Sequence, residues 1–295
     1  MTVEIETLPV ELQLHAVADH VWEATPTHEG EVARNVVFGG QILAQMIMAS
    51  HLDREAERPN TKEVKSIHAI FARAGDYTLP IQYEVERMHD GRTMGSDSVT
   101  FSQGGKIMSR GLILWSNDEP DLIRHTAEIA MPDVPGPDSP HRTDSRVFPG
   151  ATGRVIGGVE PSNPDQPEVA PLMNVWTRFT ANYPSVVDQA ILSWATDGYL
   201  IGTSMLAHHE INEGQSHRTI STGVLSHTIN FHEPFAADEW LLLAHESVWA
   251  GRGRTHGRCT IWTEDGRLVA TYTQDNLVRS LGGDSDQAGD FKRAM

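Results

Sequence analysis

Gly91-Arg92-Thr93-Met94-Gly95 returns as Gly253-Arg254-Thr255-His256-Gly257, with one residue changed and 162 positions later. The match extends on both sides: without a gap, Asp76 meets Asp238, Leu79 meets Leu241, Glu84 meets Glu246, Gly104 meets Gly266 and Ile107 meets Val269. An internal duplication of this kind is expected to fold as two copies of one unit, too few for a solenoid. Fusion of a unit to its copy creates a pseudo-twofold interface, a common place for a ligand site. It also frees the copies to diverge. Polar residues present in one half only are therefore the candidates for chemistry.

A chain of 295 residues suggests about two domains, each large enough for its own core. The expected division is 1–118, a connector over 119–172, and 173–295. The connector is read from Pro120, Pro132, Pro135, Pro137, Pro140, Pro149, Pro161, Pro164, Pro167 and Pro171, set among Asp, Ser and Gly. In each outer segment one helix precedes a run of strands. Gly39-Gly40 opens a helix through Ser50 that is apolar on most sides, as for a helix enclosed by a sheet. Strands are expected at 64–73, 80–88, 95–103 and 106–116. The second segment is expected to carry a helix from Val186 to Leu200, then strands at 218–232, 239–249, 254–264 and 267–280. The tail from Gly282 is polar.

With 39% hydrophobic and 21% charged residues the chain is ordinary globular material. A net charge of −17 argues against nucleic acid and anionic membrane as partners, since both need local positive potential. No apolar run approaches the roughly 20 residues that span a bilayer. The acidic start, Met1 to Glu6, lacks the features of a secretory signal, and the ending Lys292-Arg293-Ala294-Met295 is not a peroxisomal address. A cytoplasmic location is the expectation. The single cysteine, Cys259, sits in an apparent strand and reads as packing. The fifteen histidines form no metal-binding motif, and no nucleophile elbow occurs.

Two polar residues break the likeness of the halves. Asp197 stands toward the end of an otherwise apolar helix, where an unpaired carboxylate is costly. Gln274 stands near the end of the last strand, and the offset gives it apolar Leu112 as counterpart. Each residue type admits two roles. Asp197 either caps backbone or pairs with an arginine, or it serves chemistry; Gln274 either bonds a neighbouring strand or joins it.

The motifs Phe38-Gly39-Gly40-Gln41, Phe71-x-Arg73-x-Gly75-Asp76, Tyr83-x-Val85-Glu86-Arg87 with Asp90-Gly91-Arg92, Ala195-Thr196-Asp197, His227-x-x-x-Phe231-His232-x-Pro234-Phe235, and Asp265 to Ala270 through Gln274 resemble the acyl-CoA thioesterase II family. The resemblance covers 34–116 and 189–280. It implies an α+β double hot-dog: two tandem copies of a long helix wrapped by an antiparallel sheet. It also implies hydrolysis of acyl-CoA to fatty acid and CoA without metal or organic cofactor.

The family's catalytic set is an aspartate, a threonine or serine, and a glutamine. By position these are Asp197, residue 224 and Gln274. Residue 224 is a valine. Alternation along a strand puts Thr222 and Ser226 on its side, and Ser226 is the expected substitute. Substrate contacts are expected from Gly39, Gly40 and Gln41 at the helix start, where N–H groups can polarise the thioester carbonyl. Arg73 is expected at the CoA phosphates, with Arg87 as a further candidate; Arg92 and Arg254 are candidates too, but each sits in a Gly-Arg-Thr turn where a structural role is the stronger reading. Met46 and Trp194 are expected along the acyl chain, with Met48, Tyr199, Leu200 and Met205, though most of these serve equally as core.

The alternative reading is an acyl-CoA-binding or sensing protein disabled at Val224. An enoyl-CoA hydratase is disfavoured, because Gly202 stands where its histidine would follow Asp197. Hot-dog domains commonly associate, so a homo-oligomer is expected.

Overall fold

Helix α1 (Gly39–Glu57) starts at the glycine pair, after the extended residue Phe38, and every residue from Gly40 to Arg54 is buried. An apolar-on-all-sides helix requires enclosure. In the computed structural model, which describes residues 8–24, 36–126, 130–145, 150–181 and 183–281, that enclosure is a sheet. α1 packs on β3 (Glu63–Phe71), β4 (Ile81–Asp90), β5 (Met94–Gln103) and β6 (Lys106–Ser116). The polar residues it carries inward are partnered, as burial demands. Gln45 donates to the Glu11 carbonyl and accepts from the Tyr83 hydroxyl. The Arg54 guanidinium forks onto the fully buried carboxylate of Asp97, which also accepts from Ser50.

The second half repeats the plan with α2 (Ser185–Ala195), β10 (Ile220–Phe231), β11 (Leu241–Gly251), β12 (Arg254–Thr263) and β13 (Leu268–Ser280). The helix expected to run to Leu200 is interrupted. A tight 3-10 turn at Thr196–Gly198 ends α2, and α3 (Leu200–Met205) follows. That break sets the direction of the Asp197 side chain.

The thirteen strands among the described residues join in one sheet, and the halves meet where β3 pairs antiparallel with β10. Five of the strands lie outside the expected set. β1 (Leu14–Ala18) and β2 (Val21–Ala24) extend the sheet beyond β4. At the other end, β9 (Leu172–Phe179) pairs with β11, β8 (Ala151–Ile156) with β9, and β7 (Arg142–Ser145) with β8. The stretch 119–172, expected as a connector, thus supplies two strands to the edge of the second half.

The bulges give the register between the halves. Lys65 is the extra residue of a bulge in β3 and Leu225 of one in β10, 160 positions later. Met88 in β4 and Val248 in β11 are also 160 apart. The hairpin irregularities at Phe101/Ser102 and Ile261/Trp262 repeat the same spacing. At that spacing His68 corresponds to Thr228, and these two are cross-strand partners, with the ring nitrogen 2.6 Å from the hydroxyl. A pseudo-twofold axis therefore runs between them.

The pentapeptide match is displaced from this register by two residues, since Gly91-Arg92 corresponds to Gly251-Arg252. A two-residue slip keeps every side chain on its own face, so the residue pattern still agrees. On β13 one further residue in the hairpin makes the spacing 161. The counterpart of Gln274 is then Ile113, fully buried, and not Leu112, which points outward.

Cys259 is buried in β12, and burial pushes its thiol well up, as a packing role requires. No helix among the described residues is long and apolar enough to cross a membrane. The expectations for the first residues and for the tail from Gly282 lie outside the described residues.

Candidate active site

The 3-10 turn at Thr196–Gly198 aims Asp197 across the junction at the start of α1. Its Oδ2 accepts the Gly40 N–H at 3.0 Å, and its Oδ1 accepts the Gln274 side-chain N–H at 2.9 Å. The carboxylate therefore sits on the positive end of the other half's helix, where a negative charge is favoured. Burial nevertheless dominates and raises the Asp197 pKa to about 7, against the lowering effect of those two hydrogen bonds. A carboxyl poised near neutrality can take up and return a proton at working pH.

The glycine pair makes this approach possible. A Cβ on Gly39 would lie 2.6 Å from Asp197 Oδ2, and one on Gly40 would lie 2.2 Å from the Trp194 carbonyl oxygen. Gly40 thus lets α1 meet α2, and Gly39 leaves room for the carboxylate. Because the Gly40 N–H is given to Asp197, it is not free to polarise a substrate carbonyl.

His227, the first residue of the motif that runs to Phe235, completes the cluster. It stands directly opposite Gln274 across the β10–β13 pair, fully buried, with its ring stacked on Tyr272 at 5.0 Å. Its Nε2 is 3.0 Å from Thr196 Oγ1, and its Nδ1 is 4.0 Å from Asp197 Oδ1 without a hydrogen-bond partner. Burial, with a smaller contribution from His68, pulls its pKa down to about 3. The ring is therefore neutral, and the contact with Asp197 is not an ion pair. The signal that finds this residue is the comparison of halves at spacing 160, which gives Ile67 as the counterpart of His227.

Ser226 does not join the cluster. The bulge at Leu225 breaks the alternation on which its placement depended. Val224 pairs with inward-facing Asn276, whereas Ser226 pairs with Asp275 on the outer face and donates to its carboxylate at 2.8 Å. Thr222 is buried, and its hydroxyl is 3.1 Å from His217. A hydroxyl that does touch the cluster is that of Thr196, which donates to the Ser193 carbonyl and lies against His227.

The other expected contacts are dispersed. Gln41 accepts the Tyr77 hydroxyl and leaves its own N–H₂ without a partner among the described residues. Trp194 packs against Phe38 at the helix crossing. Met46 is fully buried with its sulfur against Gly111 of β6. Arg73 is spent on the Ile107 carbonyl at the surface. A cavity of about 200 Å³ between Pro9, Phe179, Tyr183 and Ile191 contains none of the Asp197 cluster. One group among the described residues has metal-ligand spacing, His20, Asp53 and Glu57. Arg87 donates to both of its carboxylates, which offsets part of the charge that would attract a cation.

Comparison with known proteins decides the family. A model described as the acyl-CoA thioesterase N-terminal domain matches residues 28–116, and one described as the C-terminal domain matches 125–278. The chain belongs to the acyl-CoA thioesterase family. Human acyl-coenzyme A thioesterase 8 is 28% identical over 269 residues, covering 82% of this chain and 80% of its own. Acyl-CoA thioesterase 2 of Haemophilus influenzae is 26% identical over 264 residues, covering 82% and 87%. Among solved structures, an acyl-CoA thioesterase II from Mycobacterium marinum superposes with a TM-score of 0.73 at 24% identity, over 96% of this chain and 99% of that one. A hot-dog protein of unknown function from Alicyclobacillus acidocaldarius gives 0.71 at 18% identity, over 95% and 99%. These structures share the hot-dog fold. The match to the C-terminal family model begins at residue 125 and so includes the residues of β7 and β8.

Proposed function

We propose that this chain hydrolyses acyl-CoA thioesters to a free fatty acid and CoA, and that its site lies at Asp197, where two copies of an ancestral hot-dog unit join. The reading rests on one observation above all. A buried carboxylate with a pKa of about 7 is held at one oxygen by the Gly40 N–H of one half and at the other by Gln274 of its own half. A water oxygen attacks the thioester carbon while its proton passes to Asp197. The carbon–sulfur bond then breaks, and the departing thiolate of CoA takes that proton back. Gln274 and Gly40 fix the carboxylate so that little reorganisation accompanies the transfer. Duplication is supported by the three bulges at a common spacing and by the pairing of His68 with its own counterpart, Thr228.

A second reading, an acyl-CoA-binding protein without turnover, is favoured by Val224. That position faces inward beside Asn276 and carries no hydroxyl. Free-thiol release from saturated acyl-CoAs of short to long chain separates the two. Turnover that is lost in Asp197→Asn and in Gln274→Ala supports the hydrolase. Saturable binding with no thiol release at any chain length would leave only the binder.

A further inference from the structure

His227 Nδ1, Gln274 Oε1 and Asn276 Oδ1 lie buried on the inner face of β10 and β13 as three hydrogen-bond acceptors without a donor among the described residues. Buried acceptors left unpaired keep their full desolvation penalty. A row of them calls for a species that brings protons, and water is the smallest. The tautomer of His227 follows from its other nitrogen. The Thr196 hydroxyl proton goes to the Ser193 carbonyl at 2.7 Å, so the 3.0 Å contact with Nε2 requires the ring to donate there. Nδ1 is left with a lone pair, 4.0 Å from Asp197 Oδ1.

We propose that His227 is a catalytic residue that holds the attacking water, with one water proton on its Nδ1 and the other on Asp197 Oδ1, and that Thr196 is the positioning residue that fixes the imidazole. The assignment rests on the hydrolase reading above. The geometry suits it. A water oxygen about 2.8 Å from each of two acceptors that are 4.0 Å apart subtends about 90°, close to its own bond angle. Its lone pairs then face away from both groups, toward a thioester carbon. On attack the carbon–oxygen bond forms and the proton on the Asp197 side moves to the carboxylate. The proton on the His227 side remains hydrogen-bonded to the ring until it becomes the carboxylic acid proton of the product. The thiolate released by carbon–sulfur cleavage takes the Asp197 proton, so atoms and charge balance. His227 stays neutral throughout, in keeping with burial holding its pKa near 3. In this arrangement the imidazole does what the hydroxyl missing at Val224 cannot.

The first half supplies the test. Ile67 occupies the position of His227 in the equivalent strand, against Ile113, so His227→Ile has a built-in precedent for packing. It is expected to keep the melting temperature and a KM within about twofold of wild type while kcat falls about 100-fold, the cost of a misplaced reactant. His227→Asn, whose amide oxygen can stand near the place of Nδ1, is expected to recover at least about tenfold of that loss, within the usual range of such contributions. Thr196→Val is expected to lower kcat about tenfold, with Thr196→Ser restoring it. Wild-type kcat in His227→Ile overturns the proposal while the hydrolase stands. So does an equal loss in His227→Ile and His227→Asn with KM raised, which marks a packing role. Absence of turnover in the wild type overturns the hydrolase reading and this inference together.

Discussion

Gln274 faces His227 across β10 and β13 in the place where Ile113 faces Ile67 across β6 and β3. All four side chains are fully buried. One pair of strands therefore occurs twice in the molecule, once with an apolar pair and once with a polar one. The apolar pair shows what packing alone prefers, so the polar pair is maintained at a cost to stability. Such a trade of stability for chemistry is common at active sites.

Asp197→Asn should abolish turnover and stabilise the fold. The variant keeps the shape and the bond from Gly40, and its new N–H₂ can be accepted by Gln274 if that amide rotates to present its unpartnered Oε1. What it removes is a buried negative charge. A kcat loss of about 1,000-fold or more is expected for a missing proton acceptor in a water-activated reaction. Denaturant unfolding at pH 8 should show a gain of a few kcal/mol, since a carboxyl raised from 3.8 to about 7 is disfavoured as the anion by that order. Loss of stability at pH 8 would show that the anion itself holds α1 in place.

The same shift predicts opposite pH dependences for activity and stability. As a base, Asp197 must be ionised, so kcat/KM should rise with pH through an apparent midpoint near 7. For stability, the native state keeps the proton between the unfolded pKa near 4 and about 7 while the unfolded chain releases it. The unfolded state then binds fewer protons, so stability falls as pH rises through that window and levels off above it. Asp188, also raised to about 7 by burial, adds to the slope. Unfolding curves from pH 4 to 8 should therefore decline for wild type and decline less for Asp197→Asn.

Alanine at the two glycines should separate folding from function. Gly40→Ala places a methyl 2.2 Å from a backbone carbonyl oxygen that cannot swing aside. The helices must part, at a cost at or above the usual 1–3 kcal/mol of overpacking. Gly39→Ala instead meets the end of a side chain, Asp197 Oδ2, at 2.6 Å. It should fold and melt within a few degrees of wild type, yet lose about 100-fold in kcat because the carboxylate is displaced. Equal thermal and kinetic effects of the two variants would contradict this assignment of roles.

The sequence made the long helix, the eight principal strands and the pair Asp197 and Gln274 legible, because each is written in local pattern: a glycine pair, alternation, a charge on an apolar helix. The bulge at Leu225 left no such mark. It inserts one residue without any change of composition, and everything before it then faces the other way. The same holds for the extra hairpin residue that makes Ile113, not Leu112, the counterpart of Gln274. β7 and β8 were hidden by proline-rich surroundings, and their pairing depends on the distant strand β9. His227 was in plain view as a motif residue. Its role became visible only once its counterpart was known to be isoleucine.

Ser226→Ala decides whether alternation or the bulge describes β10. If the strand ran regularly, Ser226 would share the face of Val224 and its loss would reduce turnover as the loss of a hydroxyl from the site does. In the bulged strand its hydroxyl donates to Asp275 on the outer face, where His256 contacts the same carboxylate. Removing it then costs one exposed hydrogen bond, about 0.5–1.5 kcal/mol at most, and Asp275 keeps its contact with His256. The expected outcome is kcat and KM within about twofold of wild type, the range of a substitution that does not touch the reacting groups. A kcat loss of tenfold or more at unchanged melting temperature would return the serine to the site and place Leu225, not Ser226, on the outer face.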